Sequence, residues 1–314
     1  MGRRGRSGTD GPDGIAIVDK PAGWTSHDVV AKARGLLGTR KVGHSGTLDP
    51  DATGVLVLGV GRATRLLTFL SGLGKRYVGE VVLGTSTATL DASGEVTGTW
   101  DMGHVRVEEV RRAAAGLTGP IEQVPPMVSA KKIGGRRLHE LARDGVEVER
   151  APVPVRVDVF EVGEPVEPGV FPIDVTCSSG TFIRSLAADV GSALGGGAHL
   201  RALRRLAVGP YLLDEAVALE HLAPERLLPP VEALRGYPKV PVDDDLAALV
   251  RNGRVLDDGV LGIGSGAPHA VRPAGAGVGD DGPWAVVDRQ GTLLAVYVRH
   301  GHETVKPAVV LAST

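Results

Sequence analysis

Apolar residues along the chain come in short runs and in spaced stripes, and the two patterns predict different elements. Gly14-Ile15-Ala16-Ile17-Val18 is a continuous apolar run stopped by Asp19-Lys20-Pro21-Ala22-Gly23, which predicts a strand and then a turn. Over 27–37, Val29, Val30, Ala33, Leu36 and Leu37 share one helical face. Ser26 is the expected cap and Gly38 the stop. The same reasoning predicts strands over 55–58, 76–83, 153–162, 173–178 and 205–208, and helices over 63–70, 105–115 and 182–194. Residues 124–150 break the pattern. They are polar, basic and glycine-containing, and predict an excursion from the core with one short helix.

Gly236-Tyr237-Pro238 marks an expected boundary. Beyond it, Asp243-Asp244-Asp245 starts a helix that Asn252-Gly253 stops, and residues 261–282 are a Gly-, Ala- and Pro-rich loop. Residues 284–287 and 292–298 then read as a hairpin around Asp288-Arg289-Gln290-Gly291. Strands and helices that do not alternate strictly predict an α+β fold with a mixed sheet. A length of 314 residues suits two units. The expected division is a disordered basic tail over 1–13, a large domain over 14–238 and a small one over 239–314.

Composition narrows the class. Apolar residues make up 42% of the chain but aromatics only 4%, so aliphatic side chains must fill the core. The single cysteine, Cys177, excludes an internal disulfide and a cysteine zinc cluster. It lies in an alternating stretch, 171–178, where a small buried hydrophobe is expected, and its use suits a reducing cytoplasm. Asp10-Gly11-Pro12-Asp13 stands where a signal peptide needs apolar residues, and no apolar run approaches the roughly 20 residues that cross a membrane. The expectation is a soluble cytoplasmic monomer.

The net charge of -2 is unevenly spread. Residues 1–76 carry 12 basic and 6 acidic residues, whereas 239–314 carry 7 and 9. Lys131, Lys132, Arg136 and Arg137 form one basic cluster, and Arg201, Arg204 and Arg205 another. Such clusters either track a phosphate backbone or are solvated surface.

Several familiar motifs nearly match and fail. Gly43-His44-Ser45-Gly46-Thr47 has Thr at the fifth position of a nucleophile elbow. Gly74-Lys75 lacks the leading Gly and following Ser or Thr of a P-loop. His300-Gly301-His302 offers half a metal site with no third ligand nearby, and no metal is expected. Asp49 stands apart. It sits in a turn of Gly, Ser, Thr and Pro just before the apolar run 55–60, where a side chain is presented at the rim of a scaffold. Such a carboxylate is a nucleophile, a base or a metal ligand, or else an ordinary Asx-turn residue.

Five ordered segments resolve that choice by resemblance. They are Val18-Asp19-Lys20-Pro21; Gly43-His44-Ser45-Gly46-Thr47-Leu48-Asp49-Pro50 with Ala52-Thr53-Gly54; Lys75-Arg76-Tyr77; Cys177-Ser178 with Gly180-Thr181-Phe182-Ile183-Arg184; and Gly197-Ala198-His199-Leu200 leading to Leu203-Arg204-Arg205-Leu206. In this order, over about 14–210, the chain resembles the TruB-type tRNA pseudouridine synthases, which make pseudouridine at U55 of the TΨC loop.

The resemblance implies a pseudouridine-synthase fold: a mixed, largely antiparallel central sheet flanked by helices, with a small β-rich PUA-like domain at the C-terminus. Asp49 falls on the essential aspartate, Tyr77 on the active-site tyrosine and Arg184 on the arginine that pairs with the aspartate. His44, Asp91 and Leu203 fall on substrate-pocket positions, and Lys20, grouped with them as substrate-binding, falls on a lysine buried near the active site. The excursion 124–150 resembles the insertion that grips the T-arm, with Lys131, Lys132, Arg136, Arg137, Arg204 and Arg205 as expected backbone contacts. The partner implied is tRNA. Because substrate and product are isomers, no cofactor is implied. Two departures stand out: Ala88 replaces a common Asp in the T-D-T-x-D element, and Phe182 replaces a common Tyr.

On this reading Asp49 attacks the ribose or the base, or assists ribose deprotonation, and Arg184 favours its ionised form. Tyr77 manages a proton, which as a base requires surroundings that overcome a reference pKa of about 10. Two other readings of the same residues are an RNA N-glycosidase and a non-catalytic chaperone of tRNA folding. The first needs a second carboxylate flanking the bond, and Asp51 is the only obvious neighbour.

Overall fold

The computed structural model describes residues 11–129, 132, 133, 136–138, 144, 146, 148–263 and 282–311. Residues 1–10, Lys131, the side chains of Lys132 and Arg137, and most of the 261–282 loop lie outside them.

The alternating side chains of two apolar strands build two cores at once. In β1 (Gly14–Lys20) and its antiparallel neighbour β3 (Thr53–Val60), Ala16, Val18, Leu56 and Leu58 face helix α1 (Ser26–Leu36) and its Val29, Val30 and Ala33. Ile15, Ile17, Val55 and Val57 face the other way, onto Leu66, Leu70 and Leu234. This is the period-2 geometry of a strand covered on both faces. A short strand, β2 (Val42–His44), pairs with β3 and leads into the Asp49 loop.

Among the described residues this sheet has ten strands. Its main path runs Val217–Ala218, β1, β3, Ala198–Val208, β4 (Lys75–Leu83), Val170–Cys177, Val153–Val162, Gly119–Gln123. Pairing along this path is antiparallel except at Val217–Ala218 with β1 and at Ala198–Val208 with β3. Helices Val107–Gly116 and Ile183–Ala193 cover the second half of the sheet, burying Val110, Ala114, Leu186 and Val190 against Val81, Phe171, Ile173 and Val175. The expected mixed, largely antiparallel sheet with flanking helices is the architecture found.

A second sheet of five strands closes the chain, with Trp284–Val287 and Leu293–Arg299 at its centre. Helix Asp244–Arg251 packs on it, capped by Asp243, whose carboxylate accepts from the Leu246 amide at 2.9 Å. The two sheets share apolar packing. Ala285, Val287, Leu293 and Val296 belong to the same cluster as Leu66 and Leu70. The Arg62 and Arg65 guanidinium groups donate to the carbonyls of Leu311 and Val310 at 2.9 and 2.7 Å.

Several elements differ from the sequence reading. Thr25, not Ser26, caps α1, in a reciprocal box with Asp28. The expected helix over 63–70 divides into a 3-10 segment, Gly61–Leu66, and a short α-helix, Leu67–Ser71. The strand expected over 205–208 begins at Ala198, and its register shifts between Leu200 and Ala202 and between Arg205 and Ala207 break the alternation that marks a strand. The strand Thr304–Val310 was hidden by Lys306 and Pro307. Within 124–150 the described elements are two-residue strands, Lys132–Ile133 and Arg136–Arg137, paired with each other.

Candidate active site

The Asp49 loop joins β2 to β3 and is tied down on both sides. The Leu48 side chain is buried, and its amide donates to the Ser26 hydroxyl at 2.9 Å. The Pro50 carbonyl accepts from the Gly23 amide at 3.0 Å and from Lys20 Nζ at 2.8 Å. Arg205 holds the start of the loop. Its guanidinium donates to the carbonyls of Gly46 at 3.2 Å, Thr47 at 3.3 Å and Val55 at 2.7 Å. Arg205 can lie so close because its strand runs beside Gly54, where φ is +102° and a Cβ would sit 2.2 Å from the Arg205 carbonyl oxygen.

Arg184 enters at the second residue of the helix Ile183–Ala193. Its side chain is only 6% exposed, yet it reaches five oxygen atoms. Nε lies 2.9 Å from Asp49 Oδ2 and Nη2 donates to Asp49 Oδ1 at 3.1 Å, a two-point pairing that suits a carboxylate. The remaining contacts go to the carbonyls of Thr89 (2.9 Å) and Val128 (2.8 Å) and to Asp91 Oδ2 (3.4 Å). Asp91 is itself held by the hydroxyls of Thr89 and Ser93.

Two cavities meet at this pair. The larger, about 230 Å³, is walled by Asp49, Tyr77, Leu203, Arg184, Lys75 and the 179–182 turn. The smaller, about 180 Å³, lies beside Asp51, Asp91 and Arg201 and shares Asp49, Arg184 and Leu203 with the first. Asp49, Tyr77, Arg184, Asp91 and Leu203, scattered over the sequence, therefore converge.

The electrostatics differ from expectation in two places. Burial pushes the Asp49 carboxyl above the usual carboxylate range. Arg184 opposes that rise and Asp91 adds to it. Solvent still reaches 40% of the Asp49 side chain, which limits the effect. Burial also raises Tyr77, with Arg205, its direct cross-strand neighbour, pulling the other way. Tyr77 is thus a neutral phenol near neutral pH, not one whose surroundings favour a phenolate.

Other expected site residues have different duties. Lys20 is fully buried, as the resemblance implies, and donates to the carbonyls of Pro21, Trp24 and Pro50 at 2.8, 2.6 and 2.8 Å, so its ammonium supports the loop. Burial lowers its pKa to about 8. Arg205, 1% exposed, spends its guanidinium on the carbonyls of Gly46, Thr47 and Val55 and lines the larger cavity. Arg204 is engaged by Asp19 at 2.6 Å and by the Thr53 hydroxyl at 3.1 Å, and Arg136 is exposed and pairs with Asp144 at 2.5 Å. His44 lines neither cavity and meets His27 edge-on, 5.6 Å between ring centres. Cys177 is 1% exposed and its thiol is pushed up to about 11 by burial, in keeping with a small buried hydrophobe. Among the described residues no cluster of three metal-ligating side chains occurs, and no helix is long and apolar enough to cross a membrane.

The sequence reading missed Lys75 as a wall of the larger cavity. Its ammonium donates to the carbonyls of Leu73 at 2.8 Å and Ser71 at 3.3 Å, and burial lowers its pKa to about 8. Its place two residues before Tyr77, on the same face of β4, was the available signal.

Comparison with known proteins agrees with this geometry. Residues 34–183 match the family model described as TruB family pseudouridylate synthase (N terminal domain), and 184–233 match the tRNA pseudouridylate synthase B C-terminal domain. The chain is 47% identical to a tRNA pseudouridine synthase B of Arthrobacter sp. (strain FB24), across 95% of this chain and 96% of that protein. It is also 47% identical to the Streptomyces coelicolor protein of the same name, across 92% and 94%. Among solved structures, a chain in the crystal structure of a Cbf5-Nop10-Gar1 complex superposes with a TM-score of 0.69 at 26% identity, covering 95% of this chain and 84% of that one. Near-complete coverage at this identity, with the convergent aspartate, tyrosine and arginine inside the matched span, makes the chain a member of the TruB family of pseudouridylate synthases.

Proposed function

We propose that the protein isomerises uridine to pseudouridine at position 55 in the TΨC loop of tRNA, with Asp49 as the reacting carboxylate. The observation that carries this reading is the Asp49–Arg184 pair, open to solvent on the carboxylate side and facing a cavity walled by Tyr77 and Leu203. The reaction breaks the N1–C1′ bond, turns the uracil and joins C5 to C1′. The C5 proton leaves to solvent and N1 gains one, so the RNA keeps its mass.

Access requires the nucleotide to leave its stack, at a cost of roughly a few kcal/mol. The larger cavity receives it. Asp49 acts at the ribose or the base while Arg184 balances its charge. Leu203 packs on the base, and Tyr77 gives it an aromatic face and a protonated hydroxyl, the form suited to a general acid. Asp91 braces Arg184 from behind. His44, outside both cavities, fills the space that the nucleotide leaves.

Residues 14–238 form the catalytic unit in this reading, and 239–314 an RNA-binding unit of PUA type. The T-arm is gripped by the basic excursion 124–150. The protein works in the cytoplasm as a monomer, with tRNA as its partner. An unmodified T-arm stem-loop carrying tritium at C5 of the target uridine tests the proposal. Tritium is expected in water, with the RNA mass unchanged and no free uracil. Free uracil would instead identify an N-glycosidase, and an opened tRNA elbow without tritium release a chaperone.

Binding is also expected to weaken steeply with salt, because each phosphate contact releases counterions. Three to five contacts give a log–log slope of about -2 to -4. A flat response measured by filter binding would remove the basic excursion from the RNA track.

A further inference from the structure

Because Thr25 supplies the cap of α1, the hydroxyl of the next residue is released from that duty. Ser26 is 1% exposed and turns inward. Its oxygen accepts from the Leu48 amide at 2.9 Å and its proton is donated to the Leu48 carbonyl at 3.2 Å, so one hydroxyl holds both polar groups of a single residue. Two residues further on, the Pro50 carbonyl is held by Lys20 Nζ at 2.8 Å and the Gly23 amide at 3.0 Å. The seven-residue segment 20–26 thus grips the chain immediately before and immediately after Asp49.

We propose that Ser26 is a positioning residue for Asp49: its hydroxyl fixes the residue preceding the carboxylate, as Lys20 fixes the carbonyl of the residue following, and so sets the distance from Asp49 to Arg184 and to a bound nucleotide. This rests on Asp49 being the reacting group. The physical argument is one of precision. A rate that depends on near-attack geometry falls about 100-fold for a displacement near 1 Å, whereas binding spread over a whole RNA arm hardly changes. Ser26 lines neither cavity, so it acts only through the loop. The charged groups facing Asp49 are Arg184 from the helix Ile183–Ala193, Asp91 from the loop beneath it and Lys20 from the end of β1.

The test compares Ser26→Ala with the parent in kcat and KM for tritium release and in tRNA affinity. The expected result is a fall in kcat of about 10- to 100-fold, with KM and tRNA affinity within about twofold of the parent's. An unchanged kcat, or an equal loss of tRNA affinity, would overturn the proposal. If the Ala variant does not fold, Ser26→Cys, which keeps the volume and weakens both hydrogen bonds, is read by the same criteria. Asp49→Asn, assayed alongside, separates the two levels of the argument. An active Asp49→Asn protein removes the catalytic reading itself, while an inactive one beside an unaffected Ser26→Ala protein removes only the role of Ser26.

Discussion

Asp49→Asn is expected to lower tritium release from C5-labelled T-arm RNA by about 1,000-fold or more, while tRNA binding stays within about threefold of the parent's. The substitution keeps the shape of the side chain and one oxygen for Arg184, so the loop clamps at Leu48 and Pro50 are untouched. What disappears is the negative charge. The same variant is expected to unfold, at pH 7, at a temperature equal to or above the parent's. The sign follows from the raised carboxyl. A group that holds its proton more tightly folded than unfolded makes the folded state less stable as pH rises through the window between its two pKa values. The ionised Asp49 therefore costs stability at neutral pH, and Asn removes that cost. The difference in melting temperature should shrink as pH is lowered toward the ordinary range of aspartate. Retained tritium release would end the assignment of Asp49. A melting temperature well below the parent's would show that its charge stabilises the fold.

Arg184→Met is expected to fail in the opposite way, losing activity and stability together. Arg184 is buried and reaches two carboxylates and two carbonyls. Removing one partner of a buried ionic network leaves the others desolvated and uncompensated, which costs about 3–5 kcal/mol. Urea unfolding should show a lower midpoint at unchanged m-value. Any residual activity should have its acid limb at higher pH, since the cation that opposes the rise of Asp49 is gone. Arg184→Lys should recover only part of either loss, because an ammonium has three donors where the guanidinium has five. A midpoint equal to the parent's would mean that Arg184 does not hold the site together.

The sequence made much of this legible because its signals are local. The Asp49 turn is written in Gly, Ser, Thr and Pro, and β1, α1, β4 and the helix capped by Asp243 follow from short-range periodicity and caps. Misreadings arose where a local rule had two solutions or a distant segment overrode it. Thr25 and Ser26 are both good caps, and only the packing of Leu48 decides which hydroxyl turns inward. The strand Ala198–Val208 carries two bulges and three arginines, so it lost its period-2 pattern. Arg205 read as a surface cation because charged residues are seldom buried without partners. Its partners are two loop carbonyls and one of β3, all about 150 residues earlier in the chain.

By itself, the sequence determined which residue types stand in the motifs, the order of the elements and the membership of Asp49, Tyr77 and Arg184 in one recognisable set. Only the tertiary structure decided which cations are sealed inside and which face solvent, and that Asp49 is set against both a partly buried wall and the Arg184 guanidinium. The physical reason is that burial and ion-pair distance depend on segments that meet in space. Asp49 and Arg184 are 135 residues apart along the chain and 2.9 Å apart in the fold.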